Sequence, residues 1–260
     1  VFFDEISRIA LDDPDARVRS EAINLLCESD DNTLAPIFIK MMQQDSDEVV
    51  RATAAGALGL FVYMGELEEI PAILHARVED ALLSTMRNKD SDLVRRRVLE
   101  ALGFSSRDEV TDLIEEAYTN KDEQWQASAL FAMGRSADNH WEKHVLQKLN
   151  SDGEVQFEAT RAAGELELDA ARDPLLAMLD DQEELDEDLR DVIIWSLSKI
   201  GGEDVRETLE NLLEDTEDDD EAEFIQNALD NLEFTEGTNL LNMFSIDPEN
   251  MDNLDLFGEE

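Results

Sequence analysis

A thirteen-residue pattern of apolar and polar positions occurs six times along the chain. Each copy begins with a capping residue, has a valine-like residue three positions later, and ends in an alanine-rich stripe that usually closes with glycine; the sixth starts one residue out of register. The copies are DARVRSEAINLLC (15–27), DEVVRATAAGALG (47–59), SDLVRRRVLEALG (91–103), DEQWQASALFAMG (122–134), DGEVQFEATRAAG (152–164) and LRDVIIWSLSKIG (189–201). The apolar residues recur every four positions, which predicts one buried face of a helix.

Three positions of each copy are expected to lie in the core. They are Val18, Val50, Val94, Trp125, Val155 and Val192; Ala22, Ala54, Val98, Ala129, Ala159 and Ser196; and Leu26, Leu58, Leu102, Met133, Ala163 and Ile200. Side-chain oxygens before the stripe predict helix N-caps at Asp15, Asp47, Ser91, Asp122 and Asp152. The closing glycine fits either a left-handed C-terminal cap or a close contact between helices.

A second amphipathic stretch precedes each copy, and a degenerate seventh copy follows at 219–232. The preceding stretches are 2–11, 33–43, 77–88, 108–119, 139–149, 170–180 and 203–213. Paired helices at intervals of roughly 30 to 45 residues are typical of helical-hairpin repeats. Two intervals are longer than the others, because of an extension or inserted turn at 60–76 and an acidic stretch at 180–188.

The starts of the copies and their alanine-leucine-glycine ends resemble the HEAT-repeat family, in its short bacterial form of phycobilisome-lyase type. Val18-Arg19, Val50-Arg51 and Val94-Arg95 carry the resemblance. It implies an all-α fold, a right-handed α-solenoid of about seven hairpins over 1–233, followed by a C-terminal non-repeat tail at 234–260. It also implies a ladder of arginines paired with acids of adjacent repeats, which we expect to stop halfway, where Gln126, Gln156 and Ile193 take the arginine position.

The charge of the chain restricts its partners. Asp and Glu number 65 against 21 Lys and Arg, and the net charge is −44. Nucleic acid and acidic membrane surfaces are therefore unexpected partners, since both require cationic side chains. Long-range attraction favours a basic protein or cations, although the acids also fit a solvated surface without a dedicated role.

The single cysteine, Cys27, rules out a disulfide within the chain and, with no basic apolar leader in the sequence, favours a cytoplasmic protein. A sequence that begins with Val1 instead of methionine is expected to be processed or partial.

The sequence offers few residues that could act in catalysis or bind a metal. His140 and His144 lie one helical turn apart, but Glu142 follows His140 by two positions, so the HExxH zinc pattern is not present. Further cysteine or histidine ligands are missing from the surrounding sequence, and a surface helix start is the favoured interpretation. Nucleotide-binding loops and nucleophile motifs are not found. We therefore expect a non-enzyme with no metal and no cofactor.

The candidate binding face lies opposite the core stripe on the second helix of each pair. Its apolar residues are Ala127, Phe131, Phe157 and Ile194, and its basic residues are Arg96 and Arg161. Together they predict a shallow apolar groove with basic anchors. The alternative is that these side chains pack sideways on neighbouring second helices.

The tail at 234–260 contains both acidic and apolar residues. Such segments are disordered alone and become ordered on a surface, which here could be the chain's own binding face. A second hypothesis is that Leu254, Leu256 and Phe257 bind the sliding clamp. The stretch that contains them is similar to the pentapeptide with which bacterial replication proteins bind that clamp, although Asn253 stands where the motif has glutamine.

The sequence therefore favours a non-catalytic adaptor that binds a partner protein with a basic or apolar segment. The alternative, implied by the family resemblance, is a lyase or accessory subunit that acts on a bilin-carrying protein. The oligomeric state is left open.

Overall fold

The computed structural model describes residues 2–29, 31–180 and 185–244. These residues form fourteen α-helices and three short 3-10 turns, and they contain no strand. Contacts divide the chain into two compact units, Val1–Leu166 and Glu167–Glu260. The prediction of an all-α fold is confirmed for the described residues.

The first unit holds five helical hairpins. Its helices are α1 (Phe2–Asp12), α2 (Ala16–Cys27), α3 (Ala35–Gln44), α4 (Glu48–Glu66), α5 (Ala72–Arg87), α6 (Asp92–Leu102), α7 (Asp108–Tyr118), α8 (Glu123–Arg135), α9 (Glu142–Lys148) and α10 (Gly153–Glu165). Each odd-numbered helix packs on the even-numbered helix that follows it, and successive even-numbered helices pack on one another. This serial stacking is the arrangement of an α-solenoid.

The second unit holds two more hairpins. Its helices are α11 (Arg172–Asp180), α12 (Glu187–Ile200), α13 (Glu203–Asp215) and α14 (Asp219–Phe244). Helix α12 packs on α11 and α14, and α13 packs on α14. The described residues thus contain seven helical pairs, as the repeat pattern predicts. Short 3-10 turns at Asn32–Leu34, Asn139–Trp141 and Asp169–Ala171 lead into α3, α9 and α11.

The predicted core stripe is buried, with one exception. Every residue of the alanine row and of the last row is buried, and so are Val50, Val94, Trp125, Val155 and Val192. Val18 is 40% exposed, so its assignment to the core is wrong. It lies in the first hairpin, which, among the described residues, has a neighbouring hairpin on one side only.

Four of the five predicted N-caps form the expected hydrogen bond. The side chains of Asp15, Asp47, Ser91 and Asp122 accept from amides of the first helical turn. Asp152 precedes α10 without such a bond, and there the next residue, Gly153, takes a left-handed φ of 58°.

The closing glycines serve both of the roles that the sequence left open. A Cβ on Gly103 would lie 2.8 Å from Cα of Ala132, and one on Gly134 would lie 3.1 Å from Cα of Ala162. These glycines therefore allow neighbouring second helices to approach closely. Gly201 instead ends α12 with a φ of 77°, the left-handed conformation.

The arginine ladder forms in the first two hairpins. Arg19 donates from Nε and Nη2 to both carboxylate oxygens of Asp45, at 2.8 and 2.7 Å. Arg51 binds Asp90 in the same way. Gln126 and Gln156 then donate to backbone carbonyls within their own repeats.

Arg95, the third arginine of the expected ladder, pairs with Asp92 of its own helix, so the ladder stops after Arg51, one copy earlier than expected. A later arginine that the sequence analysis did not predict, Arg190 on α12, forms an ion pair with Glu221 on α14. Helix α12 begins one turn earlier than the copy 189–201 suggests, with Asp186 as its N-cap. Leu189 and Arg190 therefore occupy the valine and arginine positions that the prediction gave to Val192 and Ile193.

The stretch 60–76 lengthens the second helix of one hairpin, α4, and the first helix of the next, α5. Helix α4 continues to Glu66, and α5 begins at Ala72. The turn between them includes Glu68, which has a φ of 59°. This extension brings Glu66 and His75 together.

Helix α14 passes through the boundary predicted at 233/234 and ends at Phe244. Leu254, Leu256 and Phe257 lie outside the described residues, so both hypotheses for the tail remain predictions. None of the described helices combines the length and the apolar character needed to span a membrane.

Candidate functional site

The structure divides the predicted binding residues into buried and accessible sets. Ala127 and Ile194 are buried, and Arg96 is only 9% exposed, with no described hydrogen-bond partner for its Nε. This corrects the expectation of an exposed face at these positions. Second helices stack so closely that side chains opposite the core stripe cover one another, which is the sideways packing given above as the alternative.

Phe131, Phe157 and Arg161 remain partly exposed. Phe131 lies on α8 between two arginines: the guanidinium carbon of Arg161 is 3.9 Å from its ring centroid, and that of Arg135 is 4.2 Å away. Phe157 lies one turn before Arg161 on α10, so both occupy the same side of that helix. Within the first unit, the structure thus brings together Phe131 and Arg161 as the sequence predicts.

The stack around Phe131 continues across two further hairpins. The guanidinium carbon of Arg135 lies 4.7 Å from the ring centroid of Phe104, and the ring of Tyr63 lies 5.1 Å from that of Phe104. We call these five side chains, Tyr63, Phe104, Arg135, Phe131 and Arg161, the aromatic–arginine row. It crosses α4, the end of α6, α8 and α10.

The sequence analysis missed Tyr63, Phe104 and Arg135, although a signal for two of them exists. Phe104 and Arg135 each follow the closing glycine of a copy, Gly103 and Gly134. Residues at equivalent positions of stacked repeats are neighbours in space. The position after the glycine therefore predicts a row along the stack.

The arginines of the row are held by groups of the protein itself. Arg161 donates from Nε to Oε2 of Glu158 at 2.7 Å and also forms an ion pair with Glu165. Arg135 donates from Nη1 to the carbonyl of Glu100 at 3.1 Å. The arginines are therefore not the free basic anchors that the sequence suggests.

Burial also changes the acidity of this cluster. Burial raises the pKa of Glu158 above its ordinary value, against the opposing effect of Arg161. Burial and the nearby charge of Arg161 lower the pKa of Arg135 to about 10. Arg135 is thus still cationic at neutral pH, and its charge can stack on the two aromatic rings beside it.

One group of side chains in the described part of the chain could hold a metal ion. Glu66, His75 and Glu79 offer ligand atoms that all lie within 4.8 Å of one another. The sequence analysis missed this group, because only His75 and Glu79 are one turn apart and Glu66 lies on another helix. His140 lies in the turn that leads into α9 and contacts Asp138 through Nδ1 at 2.7 Å, which agrees with a helix start.

Comparison with known proteins identifies the family. The sequence pattern of HEAT repeats matches residues 4–81 and 142–229, more than half of the chain. The protein therefore belongs to the HEAT-repeat family, and its fold is a repeat-based scaffold or interaction fold. No curated protein matches the sequence significantly.

Solved structures show a distant likeness. YibA from Escherichia coli is 19% identical in sequence and gives a TM-score of 0.46. The match covers 88% of this chain and 82% of the YibA chain. An engineered protein is 21% identical and gives a TM-score of 0.39; the match covers 90% of this chain and 98% of the engineered chain. Human deoxyhypusine hydroxylase, in complex with glycerol, is 15% identical and gives a TM-score of 0.38. That match covers 90% of this chain and 96% of the hydroxylase chain. At these scores, the likeness says nothing about activity.

Proposed function

We propose that this protein is a non-catalytic adaptor that binds a partner protein on the aromatic–arginine row and the adjacent Phe157. The observation that carries the proposal is the stack of aromatic rings and guanidinium groups across four hairpins of the first unit. Tyrosine, tryptophan and arginine dominate the binding energy of protein interfaces, and phenylalanine is enriched there.

Accessibility supports this role. Tyr63 is 44% exposed, and Phe104, Phe131 and Phe157 are partly exposed. A partner could therefore cover ring surface that the fold leaves in contact with water. Removing such apolar surface from water stabilises a complex by about 25 cal/mol per Å² before the costs of association.

The rigidity of the row favours binding as well. Arg161 is fixed by Glu158 and Glu165, and Arg135 is fixed by the backbone of α6. Side chains that are already ordered lose less conformational entropy when a partner binds.

The charges indicate what kind of partner fits. Near the row, Glu158 and Glu165 offset the arginines, whereas the whole chain carries a net charge of −44. A basic protein would be attracted over long range, and an apolar segment of it would make the contacts on the rings. Members of this class commonly bind other proteins.

Site-specific photo-crosslinking tests the proposal. A benzophenone amino acid would replace Phe157 in one variant and Val49, which is 53% exposed and outside the row, in the control. We expect a protein of the native cell to be cross-linked from position 157 and not from position 49. Equal cross-linking from both positions, or none from position 157, would contradict the proposal.

A further inference from the structure

Three potential ligand atoms converge at the turn between the extended helices α4 and α5. Glu66 is the last residue of α4, and His75 and Glu79 lie one turn apart on α5. Nε2 of His75 is 3.8 Å from Oε1 of Glu66 and 3.7 Å from Oε1 of Glu79. Ligands bound to one transition-metal ion at about 2.0–2.2 Å lie roughly 3.0–3.5 Å apart, so the three atoms, which all lie within 4.8 Å of one another, would have to move closer together to surround an ion.

The histidine nitrogen at the centre of the cluster is otherwise unused. Nε2 of His75 is buried and has no hydrogen-bond partner among the described residues, because both carboxylates lie beyond hydrogen-bond distance. A buried polar atom without a partner is costly and calls for an explanation. A bound cation would satisfy this nitrogen and both carboxylates together.

Neighbouring groups orient the two carboxylates. The amide and Oγ of Ser106 donate to Oε1 of Glu66 at 2.9 and 3.2 Å. Oγ of Ser105 donates to Oε1 of Glu79, and Nε of Arg107 donates to Oε2 of Glu79 at 2.9 Å. Hydrogen bonds of this kind fix the ligands of metal sites.

Arg107 limits the negative charge of the cluster without occupying the oxygens that face His75. It bonds Oε2 of Glu79, whereas Oε1 faces the imidazole. Its Nη1 donates to Asp80 at 2.9 Å, so part of its charge is offset there.

Gly65 and the adjoining cavity make the site accessible. A Cβ on residue 65 would lie 2.2 Å from Cγ and Cδ2 of His75, so glycine is needed for the ring to lie against the end of α4. The three ligands line a cavity of about 500 Å³, together with Glu68 and Ile70. An ion could enter by this opening and keep positions for water.

We propose that Glu66, His75 and Glu79 bind one divalent transition-metal ion, which ties the end of α4 to α5. One imidazole with two carboxylates suits Zn²⁺ or Mn²⁺ better than Ca²⁺ or Mg²⁺, which take oxygen ligands. The ion would act as a clamp, and its ligands are different residues from those of the partner surface proposed above.

Calorimetric titration with Zn²⁺ and with Mn²⁺ in about 1 M KCl tests the site, because this salt screens loose binding to the many surface acids. We expect one saturable site per chain and a loss of affinity of more than tenfold in the His75→Gln and Glu66→Gln variants. His144→Gln is the matched control, since it removes a histidine of α9 that lies outside the cluster, and it should bind like the wild type.

Thermal melting separates binding from folding. In EDTA, the variants should give the helical circular dichroism of the wild type; added Zn²⁺ should then raise the Tm of the wild type and of His144→Gln, but not that of His75→Gln. If His75→Gln fails to fold, Glu66→Gln, whose side chain is more exposed, provides the comparison. Binding that His75→Gln leaves unchanged, binding lost only in His144→Gln, or no saturable site for either ion would overturn the proposal.

Discussion

Arg51 on α4 donates from Nε and Nη2 to the two carboxylate oxygens of Asp90, at 3.0 and 2.7 Å. Its Nη1 donates to the backbone carbonyl of Asp45 at 3.0 Å. One side chain therefore joins the loops that lead into α4 and α6, the second helices of two successive hairpins. Both charged groups are mostly buried, which makes this contact stronger than a surface ion pair.

Arg51→Ala is expected to lower the free energy of unfolding by about 2 kcal/mol, because it leaves the Asp90 carboxylate without its partner. The matched control is Arg17→Ala, since the Arg17 side chain is 92% exposed and pairs with Asp15 beside its own helix. The control should change stability little. Urea unfolding followed by circular dichroism measures both variants, and equal losses would contradict the role given to Arg51.

The same pair predicts a pH dependence. The hydrogen bonds from Arg51 hold the pKa of Asp90 below its ordinary value of 3.8. A carboxylate with a lowered pKa in the folded state stabilises the protein above the unfolded pKa, and this stability is lost as the pH falls through the folded pKa. The stability difference between the wild type and Asp90→Asn should thus be full at pH 6 and shrink below about pH 4.

Comparing the two proteins at each pH removes the effect of the large net charge, which is nearly the same in both. Urea titrations between pH 3 and pH 7 give the difference. A difference that stays constant over this range, or that grows in acid, would show that Asp90 is not held as a carboxylate by Arg51.

Two glycines of second helices provide opposite predictions for the same substitution. Gly103→Ala should destabilise the protein by about 1–3 kcal/mol, because the new Cβ would lie 2.8 Å from Cα of Ala132. Gly56→Ala, in the interior of α4 with open space around it, should stabilise by about 1 kcal/mol through helix propensity. Thermal melting of both variants checks the pair, and a neutral Gly103→Ala would mean that the second helices are not in close contact.

Cys27 is expected to react slowly. Burial raises the pKa of its thiol to about 11, so only roughly one thiol in a thousand is ionised at pH 8. Alkylation by iodoacetamide at pH 8 should be at least about tenfold slower in the native protein than in urea, followed by mass spectrometry. Equal rates would show that the end of α2 is open to solvent.

The sequence predicted the elements that depend on local interactions. Ala54 and Leu58 are buried as their four-residue spacing predicts, and Asp47 caps its helix as its position predicts. These features arise within one helix, so a repeated pattern is sufficient to locate them.

Contacts between helices were harder to predict from the sequence. The burial of Ile194 and the stacking of Arg135 on Phe104 depend on how closely two second helices approach. The cluster of Glu66, His75 and Glu79 forms only because α4 and α5, neighbouring helices of two successive hairpins, are extended past the repeat. Arg190 was missed because the copy was aligned on its closing glycine, whereas α12 is one turn longer at its start.

Quantitative affinity purification from the native cell tests the central claim that the aromatic–arginine row and Phe157 bind a partner. The wild type, Phe131→Glu, Phe157→Glu and the control Val49→Glu would be compared by mass spectrometry, after circular dichroism has shown that each is folded. We expect one protein to be retained by the wild type and the control and to fall about 30-fold or more in both phenylalanine variants, as for interface residues worth 2 kcal/mol or more. A set of bound proteins that is the same for all four would contradict the claim.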